Sequence, residues 1–382
     1  MNQNGTAVSK PDPLTADIGN MLREMEKLAE ILNQKRKGRG CIDFDLPECE
    51  IVLDESGKAV EIRRRPRLVS HRIIEEFMLA ANEVVAEFAV KRNLPFIYRV
   101  HEDPPAEKAE ALADFLKGLG LGFGEVKRKK EKGKSAVEAE ESAFRGQGLG
   151  DKDEQSQIQS SESRTLNPEP RIPNPESRIP GLTPRDFADL LSSVAGLPHE
   201  TAVSKAVLRA MSKACYLPEN LGHFGLAAKN YCHFTSPIRR YPDLWIHRVI
   251  KGLGVRGQGL GELGVRNSSA IADIALQSSS REREAEKAER DADELKKAEY
   301  MSDKIGMRFF GVIGGVTERG IFVELENTVE GMVRAESLPG TGFSFNERLM
   351  TLQAGAHTYR IGDTVEIEVL AVTGSKIEFG LA

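Results

Sequence analysis

The sequence lacks long apolar runs and is poor in cysteine and tryptophan. Its 382 residues include one tryptophan and four cysteines, none of them in a CxxC pair, which excludes a zinc knuckle and a disulfide-stapled secreted scaffold. No apolar run reaches the ~20 residues that a membrane helix needs. The polar residues 1–13 resemble neither a secretory signal nor a lipid-anchor site. We therefore expect a cytoplasmic protein with no membrane partner.

Charge is unevenly distributed along the chain. The overall net charge is −5, which by itself disfavours a nucleic-acid partner. Residues 205–252, however, contain eight Lys or Arg against two acidic residues, so this segment can attract phosphates. Residues 301–382 contain seven basic and eleven acidic residues, so nucleic-acid contacts there must depend on stacking and local geometry.

Hydrophobic periodicity predicts three helices and one hairpin. Apolar residues recur at three-and-four spacing over 17–35 and again over 69–92, where the stripe is wide enough to predict burial of a broad face. Two extended segments, 50–54 and 58–63, flank a glycine-containing turn. Residues 281–299 mix acidic and basic side chains, which indicates a solvated connecting helix.

A repetitive segment separates these elements. Residues 125–183 carry a basic run and then Ser, Gln, Glu, Gly and Pro with few apolar residues, which predicts disorder. A seven-residue unit occurs twice, at Asn167–Pro173 and Asn174–Pro180, and Arg145–Gly150 recurs as Arg256–Gly261. Two interpretations stay open: a tolerated loop derived from expanded repetitive DNA, or a basic arm that grips RNA.

The C-terminal residues switch to the period-two alternation of β-strands. Five short strands separated by glycine turns are predicted within 306–382, which is typical of a small Greek-key barrel of the OB type. With the helices before it, this barrel gives an α+β fold. Phe309, Phe310 and Phe322 lie on its first strands and are candidates for base stacking, although alternation requires Phe309 or Phe310 to point inward. Arg334 and Lys376 could add phosphate contacts.

The most unusual residues lie in one turn-rich loop that leads into a helix. Pro237 fixes a bend, and Pro242 is suited to the first turn of a helix that Asp243 favours at its positive end. Arg239 and Arg240 offer bidentate donors beside the hydroxyl groups of Thr235, Ser236 and Tyr241, and this combination suits phosphate oxygens. The alternative is a purely structural Arg–Asp loop.

Six segments, in this order, resemble the RNB family of exoribonucleases, which includes ribonucleases R and II. The first four resemble the RNB catalytic domain and the last two resemble an RNA-binding OB domain of the kind repeated in a large ribosomal protein: Arg39–Glu48, Ser70–Asn82, Arg99–Glu102, His223–Arg248, Gly315–Leu325 and Ala356–Asp363. The resemblance implies hydrolytic, 3′-to-5′ release of nucleoside 5′-monophosphates from single-stranded RNA, with Mg²⁺ as cofactor.

The resemblance also implies roles for individual residues. Arg239 would be catalytic, because a fixed cation facing the scissile phosphate stabilises charge in the transition state. RNA contacts are expected from His233, Ser236, Arg240, Tyr241, Phe309, Phe322 and Arg334. Glu76 would be a polar residue near the site or an ordinary exposed helix glutamate. No metal role is expected for Cys232 and His233, which lack a second ligand pair.

The sequence departs from the family pattern in one respect. The aspartate-rich block that binds magnesium in the family, and the cold-shock domains before it, have no counterpart here, so we assign no metal ligand. Asp43 and Asp45 are the local alternative, because they share a face of an extended stretch. Three interpretations follow: the C-terminal part of an exoribonuclease that works with a separate N-terminal RNB segment, an inactive RNA-binding fragment, or the product of a broken gene.

The motifs and composition divide the chain into seven segments. They are a disordered tail (1–14), the middle part of the RNB domain (15–124), the repeat-containing insertion (125–183), the C-terminal part of the RNB domain (184–252), a small Gly-rich insertion (253–269), a connecting helix (270–300) and the OB-fold RNA-binding domain (301–382).

Overall fold

The computed structural model describes residues 13–44, 48–123, 182–197, 199–254, 268–340, 342–346 and 349–382. Most of the predicted tail and repeat-containing insertion, the centre of the Gly-rich insertion, and Asp45 lie outside these residues. Within them, no helix is long and apolar enough to cross a membrane.

The N-terminal elements are two helices and a hairpin, as predicted. Helix α1 spans Pro13–Arg39, strands β1 (Cys49–Leu53) and β2 (Ala59–Arg64) pair antiparallel, and helix α2 spans Val69–Lys91. The broad buried stripe predicted on α2 is confirmed in part, because Ile73 is buried and five further apolar residues of the stripe are half-buried. Ile74 and Val84 are more than half exposed, whereas two polar residues, Glu76 and Asn82, are buried.

The middle of the chain continues with short strands and helices that build two hydrophobic cores. Strand β3 (Tyr98–Val100) pairs antiparallel with β4 (Cys215–Leu217). The helices are α3 (Ala106–Gly118), α4 (Pro184–Val194), α5 (Glu200–Ala210), α6 (Tyr241–Gly254) and α7 (Ser268–Ser302). One core includes residues of α3, α4 and α5, and the other joins β3, β4, α6 and the start of α7.

Helix α4 shows how local sequence sets an element boundary. Pro184 occupies its first turn, where the absent N–H is not needed for a helical hydrogen bond. The backbone N–H and the hydroxyl group of Thr183 both donate to one carboxylate oxygen of Asp186 at 2.8 Å. The buried Phe187 and Leu190 then direct the helix into the first core.

The C-terminal part contains the five predicted strands and three more. Strands β5 (Arg308–Thr317), β6 (Gly320–Leu325), β7 (Glu330–Arg334), β11 (Thr364–Thr373) and β12 (Lys376–Leu381) pair in the order β11-β12-β7-β6-β5 and close into a barrel. Strands β8 (Phe343–Asn346), β9 (Thr351–Ala354) and β10 (His357–Arg360) form a separate antiparallel sheet. Sequence reasoning missed this sheet because each strand has four residues and few buried positions.

One ion pair and two hydrogen bonds hold one end of the barrel against α5, the β1–β2 hairpin and α7. Lys205 of α5 forms an ion pair with Glu324. Arg64 of β2 donates from Nε to the carbonyl oxygen of Glu326 at 2.9 Å, and Lys297 of α7 donates to the carbonyl oxygen of Thr328 at 3.0 Å. The β6–β7 end of the barrel is therefore held against α5, the hairpin and α7.

The barrel core yields a stability prediction. Phe379 is fully buried, and its ring occupies the space that a side chain at Gly331 would need. We expect Phe379→Ala to lower the free energy of unfolding by about 3–5 kcal/mol, because it removes apolar contacts and leaves a cavity. Denaturant unfolding measures this change. Phe343→Ala is the matched control, since Phe343 is 42% exposed, and we expect its effect to stay below about 1 kcal/mol.

Candidate functional site

Residues 236–240 form a turn, called here the Arg239 turn. Asp243 stabilises it through buried hydrogen bonds. The backbone N–H groups of Arg239 and Arg240 both donate to the carbonyl oxygen of Ser236, at 3.3 and 3.1 Å. Asp243 is fully buried, and one of its carboxylate oxygens accepts hydrogen bonds from the Ser236 N–H and from Arg240 Nη2, both at 2.7 Å. Arg240 thus forms the Arg–Asp pair that the structural alternative expects, and its RNA-binding role stays a prediction.

Arg239 points outward. Its side chain is exposed beside Ile238, which is 97% exposed. Within the described ranges, the Arg239 guanidinium group has no hydrogen bond or ion pair. A guanidinium group in this state can bind an oxyanion in bidentate fashion, and buried bonds fix the backbone that carries it.

The segment before the turn is anchored to α2 by Asn82, which sequence reasoning did not single out. Asn82 Nδ2 donates to the Tyr231 hydroxyl oxygen at 3.1 Å, and Asn82 Oδ1 accepts from the Phe234 N–H at 2.9 Å. The Cys232 thiol donates to the Asn82 carbonyl oxygen at 3.3 Å. The sequence marked Asn82 only as the last residue of the Ser70–Asn82 motif.

His233 lies on the inner side of the loop. Its Nδ1 is 2.8 Å from the Tyr216 hydroxyl oxygen, and the Tyr216 ring lies under the guanidinium group of Arg99, which forms an ion pair with Glu282. Burial, reinforced by the charge of Arg240, lowers the pKa of His233 to about 2. His233 is therefore neutral at ordinary pH, and its direct partner is Tyr216.

A cavity of about 570 Å³ opens between the Arg239 turn and the first half of α7. Arg239, Arg240 and Tyr241 line one side, and Gln277 and Arg281 line the other. This volume lies within the range of small-ligand sites. The cavity therefore brings together three of the residues expected to act on RNA.

Glu76 is neither exposed nor part of this cavity. It is 4% exposed and forms a buried ion pair with Arg36 of α1, with 2.6 Å between Arg36 Nη2 and Glu76 Oε1. Asn33 Nδ2 donates to the same oxygen at 2.7 Å. The exposed-glutamate interpretation is wrong, because Glu76 joins α2 to α1.

The aromatic residues of the barrel differ in exposure. Phe309 packs against the core, whereas its neighbour Phe310 is 69% exposed. Exposure thus favours Phe310 over Phe309 as a stacking residue.

Phe322 is half-buried at a groove of about 1090 Å³ between the barrel and α7. Arg334 lines the same groove and is paired with Glu378 at 2.8 Å. The structure thus places Phe322 and Arg334 at one groove.

The residues that the structure describes do not offer a magnesium site. No group of three or more His, Cys, Asp or Glu side chains in the described part of the chain could hold a metal ion. Asp43 lies 3.8 Å from Arg67 in an ion pair. The donor set that magnesium prefers, several carboxylate oxygens around one point, is not formed by these residues.

Comparison with protein families decides the family. A model of the RNB domain matches residues 1–254, and a model of the S1 RNA binding domain matches residues 302–377. This chain belongs to the RNB family. The resemblance inferred from the six sequence motifs is thereby confirmed.

Individual RNB relatives carry the name ribonuclease R. The chain is 36% identical over 357 residues to ribonuclease R 1 of Lactococcus lactis, covering 93% of this chain and 37% of that protein. It is 38% identical over 367 residues to ribonuclease R of Aquifex aeolicus, covering 94% and 44%. The apo structure of Mycoplasma genitalium RNase R superimposes with a TM-score of 0.75 at 25% identity, covering 99% of this chain and 51% of that one. The chain thus spans about half or less of the length of these relatives.

The half-buried His233 yields a pH prediction. Unfolded His233 titrates near pH 6.5, whereas folded His233 binds a proton only near pH 2, so the unfolded state binds more protons below about pH 6.5. We expect stability to fall as pH decreases through this window, with up to about 1.4 kcal/mol per pH unit from this residue. Denaturant unfolding at several pH values from 4 to 7 should show a shallower dependence for His233→Gln. His357→Gln, at an exposed site on β10, should leave the slope unchanged.

Proposed function

We propose that this chain is the RNA-binding, C-terminal portion of a 3′-to-5′ exoribonuclease that releases nucleoside 5′-monophosphates from single-stranded RNA during RNA turnover in the cytoplasm. The observation that carries the proposal is the free guanidinium group of Arg239 on a rigid turn at the mouth of a nucleotide-sized cavity. The RNB family membership gives the reaction class.

Arg239 is proposed to act on the scissile phosphate. Charge accumulates on the phosphate oxygens as the phosphodiester bond breaks, and a planar cationic donor stabilises that charge. The bonds from Ser236 and Arg240 to Asp243 fix the backbone that carries Arg239, and the bound phosphate orders its exposed side chain. Arg239 thus acts while Arg240 holds the turn.

Other residues are proposed to guide the RNA. Ser236, Arg240 and Tyr241 shape the channel next to Arg239, and His233 supports it from the inner side through Tyr216. Bases stack in the barrel region on Phe322 and on Phe310, which replaces the core-packed Phe309 as our preferred candidate. Arg334 is proposed to contact a phosphate at the same groove.

Magnesium, which the family resemblance implies, does not fit the residues described here. We propose that its ligands come from a further RNB segment, either joined to this chain or separate. The absence of a metal-ligand cluster among the described residues is also what favours the second candidate function, an RNA-binding protein without catalysis. The broken-gene interpretation stays an untested hypothesis.

We propose the domain organisation that the sequence motifs and composition predicted. The RNB part comprises 15–124 and 184–252 around the 125–183 insertion, and the OB-fold domain occupies 301–382. The connecting helix predicted at 270–300 corresponds to α7, which begins two residues earlier and ends two later.

RNA binding can be tested on the purified chain. We expect single-stranded RNA to bind with an affinity that falls steeply as salt rises, because phosphate contacts release counterions. Phe310→Ala and Phe322→Ala should each weaken binding by about 1–3 kcal/mol and leave the salt dependence unchanged, because stacking releases no ions. Fluorescence anisotropy with a labelled oligonucleotide at several salt concentrations measures both quantities. Phe343→Ala is the control, and equal affinity of all three variants would remove the two aromatic residues from the site.

Catalysis can be tested by reconstitution. We expect the chain alone to be inactive and to trim RNA from the 3′ end once the unmatched part of Aquifex aeolicus ribonuclease R is added. In that mixture Arg239→Lys should lower kcat far more than RNA affinity, because a point charge does not replace a planar bidentate donor. Arg248→Lys, on the exposed side of α6, should behave like the unmodified chain. Magnesium-dependent release of monophosphates by the chain alone would contradict our placement of the metal ligands.

A further inference from the structure

The α7 side of the cavity beside Arg239 carries polar side chains to which the proposed function gives no role. Six residues at three-and-four spacing on one face of this helix line the cavity: Ile274, Gln277, Ser278, Arg281, Glu282 and Ala285. We call these six residues the α7 wall. The Arg239 turn forms the opposite wall, so a ligand in the cavity contacts both.

Hydrogen bonds fix the position of the two walls relative to each other. The Tyr216 N–H donates to Ser279 Oγ of α7 at 2.9 Å, and Ser279 is 4% exposed. The Tyr216 hydroxyl oxygen lies 2.8 Å from His233 Nδ1, in the segment that leads into the turn. Arg99 of the neighbouring strand β3 forms an ion pair with Glu282 of the α7 wall. Because one residue of β4 bonds to both sides, the cavity is a fixed feature of the fold.

The charges around the cavity suit one anionic group. Apart from Arg239, each charged residue that lines the cavity has a partner of opposite charge: Arg240 pairs with Asp243, Arg281 with Glu284, and Glu282 with Arg99. An anion such as a phosphate therefore finds its free cation at Arg239.

The α7 wall also offers neutral hydrogen-bonding groups. Gln277 is exposed and Ser278 is half-buried, and neither side chain has a hydrogen-bond partner among the described residues. A carboxamide and a hydroxyl group both donate and accept hydrogen bonds, so they can pair with the hydroxyl groups of a sugar. Tyr241 adds a phenol on the opposite wall. One free cation beside neutral donors and acceptors matches a sugar phosphate.

We propose that the α7 wall binds the ribose of the 3′-terminal nucleotide, with Gln277 and Ser278 at its 2′- and 3′-hydroxyl groups and its 5′-phosphate at Arg239; this inference rests on the proposed function. Within an RNA strand the 3′-hydroxyl group of each nucleotide is esterified, so only the terminal nucleotide offers both groups. A subsite for the pair therefore recognises a 3′ end. The 2′-hydroxyl group also distinguishes RNA from DNA, so the same two residues select ribonucleotides.

Mononucleotide binding to the full chain tests this assignment. We expect adenosine 5′-monophosphate to bind about fivefold tighter than its 2′-deoxy analogue, because the analogue lacks one hydrogen bond. The double variant Gln277→Ala/Ser278→Ala should bind both mononucleotides with equal, weaker affinity, and alanine preserves the helix. Ser280→Ala is the control, because Ser280 is exposed on α7 and does not line the cavity. Titration calorimetry at low salt measures affinity, and circular dichroism verifies folding.

Each outcome decides the inference. A preference for the ribonucleotide that the double variant loses and Ser280→Ala keeps supports it. No binding of adenosine 5′-monophosphate, equal affinity for the two mononucleotides, or a preference that the double variant retains overturns it. Inorganic phosphate that binds as tightly as the mononucleotides also overturns it, because the ribose then makes no contact.

The RNA-binding and trimming assays separate this inference from the proposed function. RNA binding and trimming by a chain that shows no mononucleotide preference contradict only the ribose subsite. A ribonucleotide preference in a chain that neither binds nor trims RNA contradicts only the proposed function.

Discussion

The candidate site depends on one buried carboxylate. Asp243 is inaccessible to solvent, and a buried charge is tolerated only where it is paired and hydrogen-bonded. Its partners are the N–H of Ser236 and the guanidinium group of Arg240, the first and last residues of the turn. The carboxylate thus closes the turn and neutralises Arg240, and it leaves Arg239 as the cation that faces outward. Removing Asp243 would leave Arg240 without its counter-charge and the turn without its brace.

Helix α2 joins the segment that precedes the Arg239 turn to helix α1. One side chain, Glu76, fixes α1, and another, Asn82, fixes the segment that leads into the turn. Both are polar and buried, so each contributes a specific alignment that apolar packing would not impose. Apolar periodicity alone did not identify these two residues, because both are polar.

The sequence predicted most of the regular structure and singled out the residues of the Arg239 turn, whose role in RNA cleavage stays a prediction. The hairpin, both N-terminal helices and the five barrel strands follow from strong periodicity, and the RNB family follows from motifs in order. Residues whose role depends on distant partners were not predictable: Glu76 depends on Arg36, and Asn82 depends on Tyr231 and Phe234. Alternation required one of Phe309 and Phe310 to face inward, but the choice depends on barrel register. The β8–β10 sheet has strands too short for a periodic signal.

Electrostatics distinguishes the arginines that line the cavity. Arg240 is paired with Asp243 and Arg281 with Glu284, and the nearby His233 is neutral, so the positive charge that the cavity offers comes mainly from Arg239. Such a site attracts phosphate and repels a divalent cation at short range. Arg239 is therefore the lining residue at which an added negative charge, such as a phosphate oxygen, is stabilised without competition from a carboxylate that pairs with it.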